Sequence, residues 1–163
     1  MPPVVERVAR SARQVYTLFA MTVNAALILL AMLAHIALIV FLYAWLTFER
    51  LRAVSRGEAE YSAYLLGHGE PPQVARISRN LSNQFELPLI FYAVVVLLVA
   101  LGRVGAIDII AAWIFFGGRV AHTLVQTLTD NVPLRGQVFV INFLAVLVLT
   151  GHVLMLVLEG LFK

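Results

Sequence analysis

Arg79, Asn83 and Glu86 are spaced by four and three residues, so one helix face presents all three. The apolar run LPLIFYAVVVLLVAL follows at once and puts Glu86 at the mouth of a hydrophobic segment. A carboxylate there is expensive unless another group answers it. Arg119, His122 and Gln126 share a second helix face, and Arg135 and Asn142, seven apart, share a third. Guanidinium, carboxylate, amide and imidazole groups brought together from three helices suit a small, multiply charged anionic ligand that carries amides. The same groups also suit polar glue between membrane helices. Spacing alone leaves both readings open.

The elements that position these groups are apolar. Of the 163 residues, 61% are hydrophobic and only 13% charged, about half the charged share of a soluble domain. Mean hydropathy is +0.91. This composition describes an integral membrane protein, all-α, with one domain over residues 1–163. The net charge of +3 comes from arginines scattered between apolar runs, which excludes a nucleic-acid surface and points to lipid headgroups or internal partners. The chain has no cysteine, so it has neither a disulfide nor a thiolate of its own. Any thiol chemistry must use a thiol that arrives with a ligand. Within the first span no second histidine or carboxylate sits at ligand spacing from His35, and no metal is expected.

Four spans are predicted at about 15–48, 73–101, 106–128 and 134–160, each long enough for a bilayer core that about 20 residues cross. Arg7, Arg10 and Arg13 form a basic stripe before the first span, which is read as retained rather than as a cleaved leader. Within that span His35 is expected to hydrogen-bond in the interior. The polar loop 49–72 contains Gly57, Gly67, Gly69 and a Pro71-Pro72 pair. Pro88 is expected to kink the second span and free the carbonyl of residue 84. Gly102–Gly105 form a tight turn, and Gly117-Gly118 allow close helix approach. The result is a bundle of antiparallel transmembrane helices, with both termini on one side. The loop side carries six basic residues and the terminal side five, which fixes no orientation.

Depth then offers an answer for Glu86. It lies about ten residues past Arg76, and Arg119 about ten before Thr129, so at ~1.5 Å per residue both sit on the order of 15 Å in. An Arg119–Glu86 ion pair is the expectation. Such a pair serves structure as readily as function.

The order R-x-x-x-N-x-x-E (Arg79, Asn83, Glu86), then GRVAHT (Gly118–Thr123), then V-P-L-R (Val132–Arg135) resembles the MAPEG family, membrane-associated proteins of eicosanoid and glutathione metabolism. R-L-R at Arg50–Arg52 belongs to the same likeness, which spans about residues 48–145. The resemblance implies a homotrimer of four-helix subunits, with glutathione as co-substrate between neighbouring subunits near the cytosolic face. It assigns Arg79, Asn83, Glu86, His122, Arg135 and Arg50 to the glutathione site, and Gln126 falls at a matching position. Arg135 would stabilise the thiolate, because a nearby guanidinium lowers a thiol pKa from about 8.5 toward neutrality. A lipophilic small molecule would enter from the bilayer. The implied activity is glutathione-dependent transfer or peroxide reduction on small lipophilic electrophiles. The alternative is a non-catalytic protein that binds lipids or partners in the same intersubunit pocket. Ser82 stands where a prostaglandin-forming branch of the family has arginine, Gln126 and Phe139 where it has tyrosines, and Gly136 where it has serine.

Overall fold

The computed structural model describes residues 22–65 and 69–162. The basic N-terminal stripe, the first residues of the first expected span and His68 lie outside the described residues. Every regular element among the described residues is helical.

Helix α1 (Val23–Ser55) begins where the Thr22 hydroxyl accepts from the Ala25 N–H at 3.1 Å. It runs about two turns beyond the expected end near residue 48. Arg50 and Arg52 do not stop it, because Leu46 and Ala53 continue its buried stripe against the second span. Gly57, at φ 70°, ends it, with the Gly57 and Glu58 N–H groups donating back to the Val54 and Ala53 carbonyls. A 3-10 turn at Tyr61–Tyr64 leads to α2 (Pro72–Ser82), which opens on the expected proline.

The second span is broken where its proline demands. Pro88 has no N–H to give the Gln84 carbonyl, so the helix narrows to a 3-10 turn at Asn83–Phe85 and restarts as α3 (Leu87–Ala100). Gly102, at φ 64°, makes the turn into α4 (Ala106–Leu128). There the Asp108 carboxylate accepts from the Gly105 N–H at 2.8 Å. The Asn131 side chain caps α5 (Val132–Leu161), accepting from the Leu134 N–H at 2.9 Å. Four helical spans, Val23–Ser55, Pro72–Ala100, Ala106–Leu128 and Val132–Leu161, are long and apolar enough to cross a membrane.

Successive spans are antiparallel, joined by short turns except for the longer connection 56–71, and α4 and α5 pack along most of their lengths. The inner faces form two apolar clusters. One, toward the chain termini, includes Ile28, Phe91, Val95, Leu98, Phe115 and Leu149, with the Phe91 and Phe115 rings stacked at 4.1 Å between centroids. The other ties α1 to α2 through Leu42, Leu46, Val74, Ile77 and Leu81. The outer faces stay apolar, as lipid requires: Val40, Leu89, Ile107 and Met155 are all exposed. A polar layer separates the two clusters.

Of the paired glycines, only Gly118 is needed for close approach within the chain. A Cβ there would overlap the Asn142 side-chain amide, whereas one on Gly117 would meet nothing within 4 Å. Gly118→Ala should therefore destabilise the bundle by about 1–3 kcal/mol through overpacking. Gly117→Ala should be neutral or slightly stabilising. Thermal unfolding of the two variants in one detergent checks the pair.

Candidate functional site

The break in the second span meets α4 through a buried arginine. Arg119 is only 1% exposed. Its Nε and one terminal nitrogen donate to Gln84 Oε1 at 3.0 and 2.8 Å, and the same terminal nitrogen donates to the Asn83 carbonyl at 2.8 Å. Arg119 can only donate, so the Gln84 atom it faces is the oxygen. His35 therefore also donates to that oxygen, from Nε2 at 3.0 Å, and its Nδ1 accepts from the Tyr92 hydroxyl at 2.5 Å. The interior role expected of His35 is thus observed.

The other half of the Gln84 amide extends the network. Its Nε2 donates to Asn80 Oδ1 at 3.1 Å, which also accepts from the Thr123 hydroxyl at 3.1 Å. Asn80 and Asn83 each donate to Gln126 Oε1, at 3.2 and 3.0 Å. Asn80, Gln84, Thr123 and Gln126 are all buried. Each oxygen in the network finds a donor, which is what makes so much polarity tolerable inside an apolar bundle.

This corrects the expected Arg119–Glu86 ion pair. Two neutral oxygens answer Arg119 instead, one of them a backbone carbonyl at the helix break. Glu86 follows that break, at φ −92° and ψ −97°, and its side chain is exposed. The distorted backbone turns it off the Gln84 face and toward the cleft. No salt bridge reaches Glu86 among the described residues.

The cleft opens on the loop side in two continuous compartments. The outer holds about 700 Å³ and the inner about 360 Å³, within the range of small-molecule sites. Both are lined by Arg79, Asn83, Glu86, Gln126, Val132 and Arg135. Arg119 and His122 line only the inner one, beside Leu87, Gly136 and Phe139. The sequence-derived set Arg79, Asn83, Glu86, His122, Gln126 and Arg135 thus meets at one cleft. Part of that polarity is already used: the Asn83 amide N–H and the Gln126 side-chain oxygen are committed to the network.

Arg50 is not brought in. Its guanidinium bonds Glu70 at 2.7 Å and lies 4.9 Å from the centre of the Tyr64 ring. Glu70, not Arg50, lines the outer compartment. The loop preceding α2 carries this carboxylate over the end of α1, and the pairing holds the arginine outside.

Charges around the cleft then sort into two groups. Glu70 is paired with Arg50, and Asp130 with Arg76. Among the described residues Arg79, Arg135 and Glu86 make no ion pair, and Arg135 is half-buried. At the opposite end of the bundle, a separate pair joins His152 Nδ1 to the buried Asp108 carboxylate at 2.9 Å and ties α5 to the start of α4.

Sequence spacing did not assign Asn80, Gln84 or Thr123. Asn80 and Gln84 are four apart, as are Arg119 and Thr123, so two faces that meet at the break were present as a pattern. Among the described residues no group of three or more His, Asp and Glu side chains could hold a metal ion.

Four apolar spans, with a polar network at mid-depth and a charged cleft at one end, define an integral membrane helix bundle. The chain belongs to the MAPEG family, whose sequence profile matches residues 28–155. No curated protein and no solved structure matches the chain.

Gln84→Leu would leave Arg119 and His35 without their shared acceptor. It should cost about 3–5 kcal/mol, as expected for breaking a buried charged contact. Gln84→Glu, which keeps the oxygen, should be far milder. Glu86→Gln should leave the melting temperature unchanged, whereas a structural Arg119–Glu86 pair would lower it. Thermal unfolding in detergent compares the three.

Proposed function

We propose that this protein is a membrane-embedded glutathione-dependent enzyme that joins the tripeptide thiol to small lipophilic electrophiles. The carrying observation is the set of unpaired charges at the cleft. Among the described residues two guanidiniums, Arg79 and Arg135, and one carboxylate, Glu86, line both compartments and make no ion pair. Glutathione carries two carboxylates and one ammonium group, the complementary set. Its amides suit the free Asn83 oxygen and the free Gln126 amide nitrogen, and family membership makes glutathione the natural ligand.

Arg135 is the thiolate stabiliser in this reading. It is half-buried at the junction of the two compartments, where a guanidinium interacts with an anion more strongly than it would in water. The thiolate attacks from the outer compartment, and the lipophile enters along the apolar walls formed by Leu87, Val132 and Phe139. The site faces the cytosol and is completed by a neighbouring subunit of a homotrimer.

Within the family the GRVAHT run and the intervals from Asn83 to Arg119 to Arg135 are similar to those of microsomal prostaglandin E synthase. Ser82, Gln126, Gly136 and Phe139 replace an arginine, a tyrosine, a serine and a tyrosine of that enzyme. The hydroxyls lost from the α5 wall argue for a different, less polar second substrate.

Calorimetric titration of the detergent-solubilised protein with glutathione should show saturable binding, and no binding at millimolar ligand would refute the reading. Arg135→Ala should abolish the thiolate ultraviolet absorbance of the bound tripeptide. A mutant that kept the wild-type signal would remove Arg135 from that role.

A further inference from the structure

Two buried side chains between α4 and α5 share one deficit. His122 is 3% exposed, and Asn142 is fully buried. Among the described residues the enclosed His122 Nδ1 and both ends of the Asn142 amide find no hydrogen-bond partner in the chain. Such atoms are rare in protein interiors, and each calls for an answering group.

The two side chains converge on one turn of α4. The Asn142 amide fills the notch at Gly118, where a Cβ would overlap its oxygen and lie 3.4 Å from its nitrogen. His122 is four residues further along the same face. Helical side chains lean toward the N-terminus and cover the preceding turn, so the imidazole leans over Gly118 and toward the amide. No direct hydrogen bond joins them. A buried water typically bonds several polar groups that would otherwise be unpaired, and these are such groups. Asn142 itself lines neither compartment of the cleft, whereas His122 lines the inner one.

We propose that one enclosed water joins Asn142 to His122, and that Asn142 is thereby a positioning residue for the tripeptide site. The Asn142 amide nitrogen donates to the water, and the water donates to His122 Nδ1. The amide oxygen rests against the Gly118 backbone. A neutral imidazole has one donor nitrogen and one acceptor, and the hydrogen bond at one fixes the role of the other. With Nδ1 accepting, Nε2 carries the N–H and presents it to a carbonyl or carboxylate oxygen of bound glutathione. The last step rests on the glutathione reading given above. The water bridge and the tautomer do not.

The test has one arm for each. A crystal or cryo-electron-microscopy map fine enough to show ordered water should carry one peak within hydrogen-bond distance of both side chains. A direct contact, or no peak, would overturn the bridge. Nitrogen-15 resonances of the histidine rings at neutral pH, with His122 assigned by its loss in His122→Gln, should show the proton on Nε2. A proton on Nδ1 would overturn the tautomer. Asn142→Leu, close in shape but unable to donate, should shift the His122 resonances and lower the melting temperature by stranding Nδ1. Unchanged resonances, or a raised melting temperature, would mean that the amide had no partner to lose and would overturn the proposal.

Calorimetry with glutathione supplies the third arm. Asn142→Leu should weaken binding about tenfold, the scale of one hydrogen bond. Asn142→Ser, which keeps a donor, should recover most of the affinity and the wild-type ring signal. Unchanged affinity in Asn142→Leu despite shifted resonances would overturn the positioning role. If the wild type binds no glutathione, the proposed function fails and the positioning role with it, while the map and the ring resonances still decide the bridge.

Discussion

A single buried cation sets the terms for the rest of this bundle. Arg119 carries its charge between four apolar helices, where an unanswered guanidinium would be costly. The chain answers it without a carboxylate. Proline at position 88 breaks the second span, the break exposes the Asn83 carbonyl, and the Gln84 amide turns its oxygen toward α4. Hydrogen bonds to a charged group contribute about 1.5–3 kcal/mol each, so three such contacts can offset much of the burial cost. The helix defect and the buried charge stabilise one another.

That solution shapes the cleft. Because neutral oxygens accept from Arg119, Glu86 is left at the cleft wall with no ion pair among the described residues. Glu70 pairs with Arg50 and Asp130 with Arg76, whereas Arg79 and Arg135, which line both compartments, make no ion pair among the described residues. Structural and ligand-facing polarity are divided by depth. Asn80, Gln84 and Thr123 hold helices together, whereas Arg79, Glu86 and Arg135 stay available. Asn83 and Gln126 belong to both sets, with one polar end in the network and the other free.

Much of this was legible in the sequence, since apolar length and helical spacing are local properties. The third expected span, 106–128, coincides with α4, and the proline break falls within a turn of Pro88. The helix-face arithmetic brought six polar residues to one cleft. Partner choice was not legible. Glu86 and Gln84 are two residues apart, and which of them meets Arg119 depends on the backbone at the break. Regular helical phase cannot supply that. The partner of Arg50 was hidden for a similar reason: Glu70 comes from an irregular loop twenty residues on, which no periodicity positions. The first span continues to Ser55, into what reads as the polar loop 49–72, because its buried stripe of Leu46 and Ala53 continues beneath the polar residues.

In the proposed function Glu86, which makes no ion pair with Arg119, receives the ammonium group of the tripeptide. A double-mutant cycle tests it most directly, with glutathione and its N-acetylated form titrated into wild type and Glu86→Gln. The account predicts that acetylation weakens binding to wild type by about tenfold or more, since a charged hydrogen bond of 1.5–3 kcal/mol is lost. It also predicts that acetylation has little effect on Glu86→Gln. Equal penalties in both proteins would show that Glu86 does not meet the amino group, and would contradict the account.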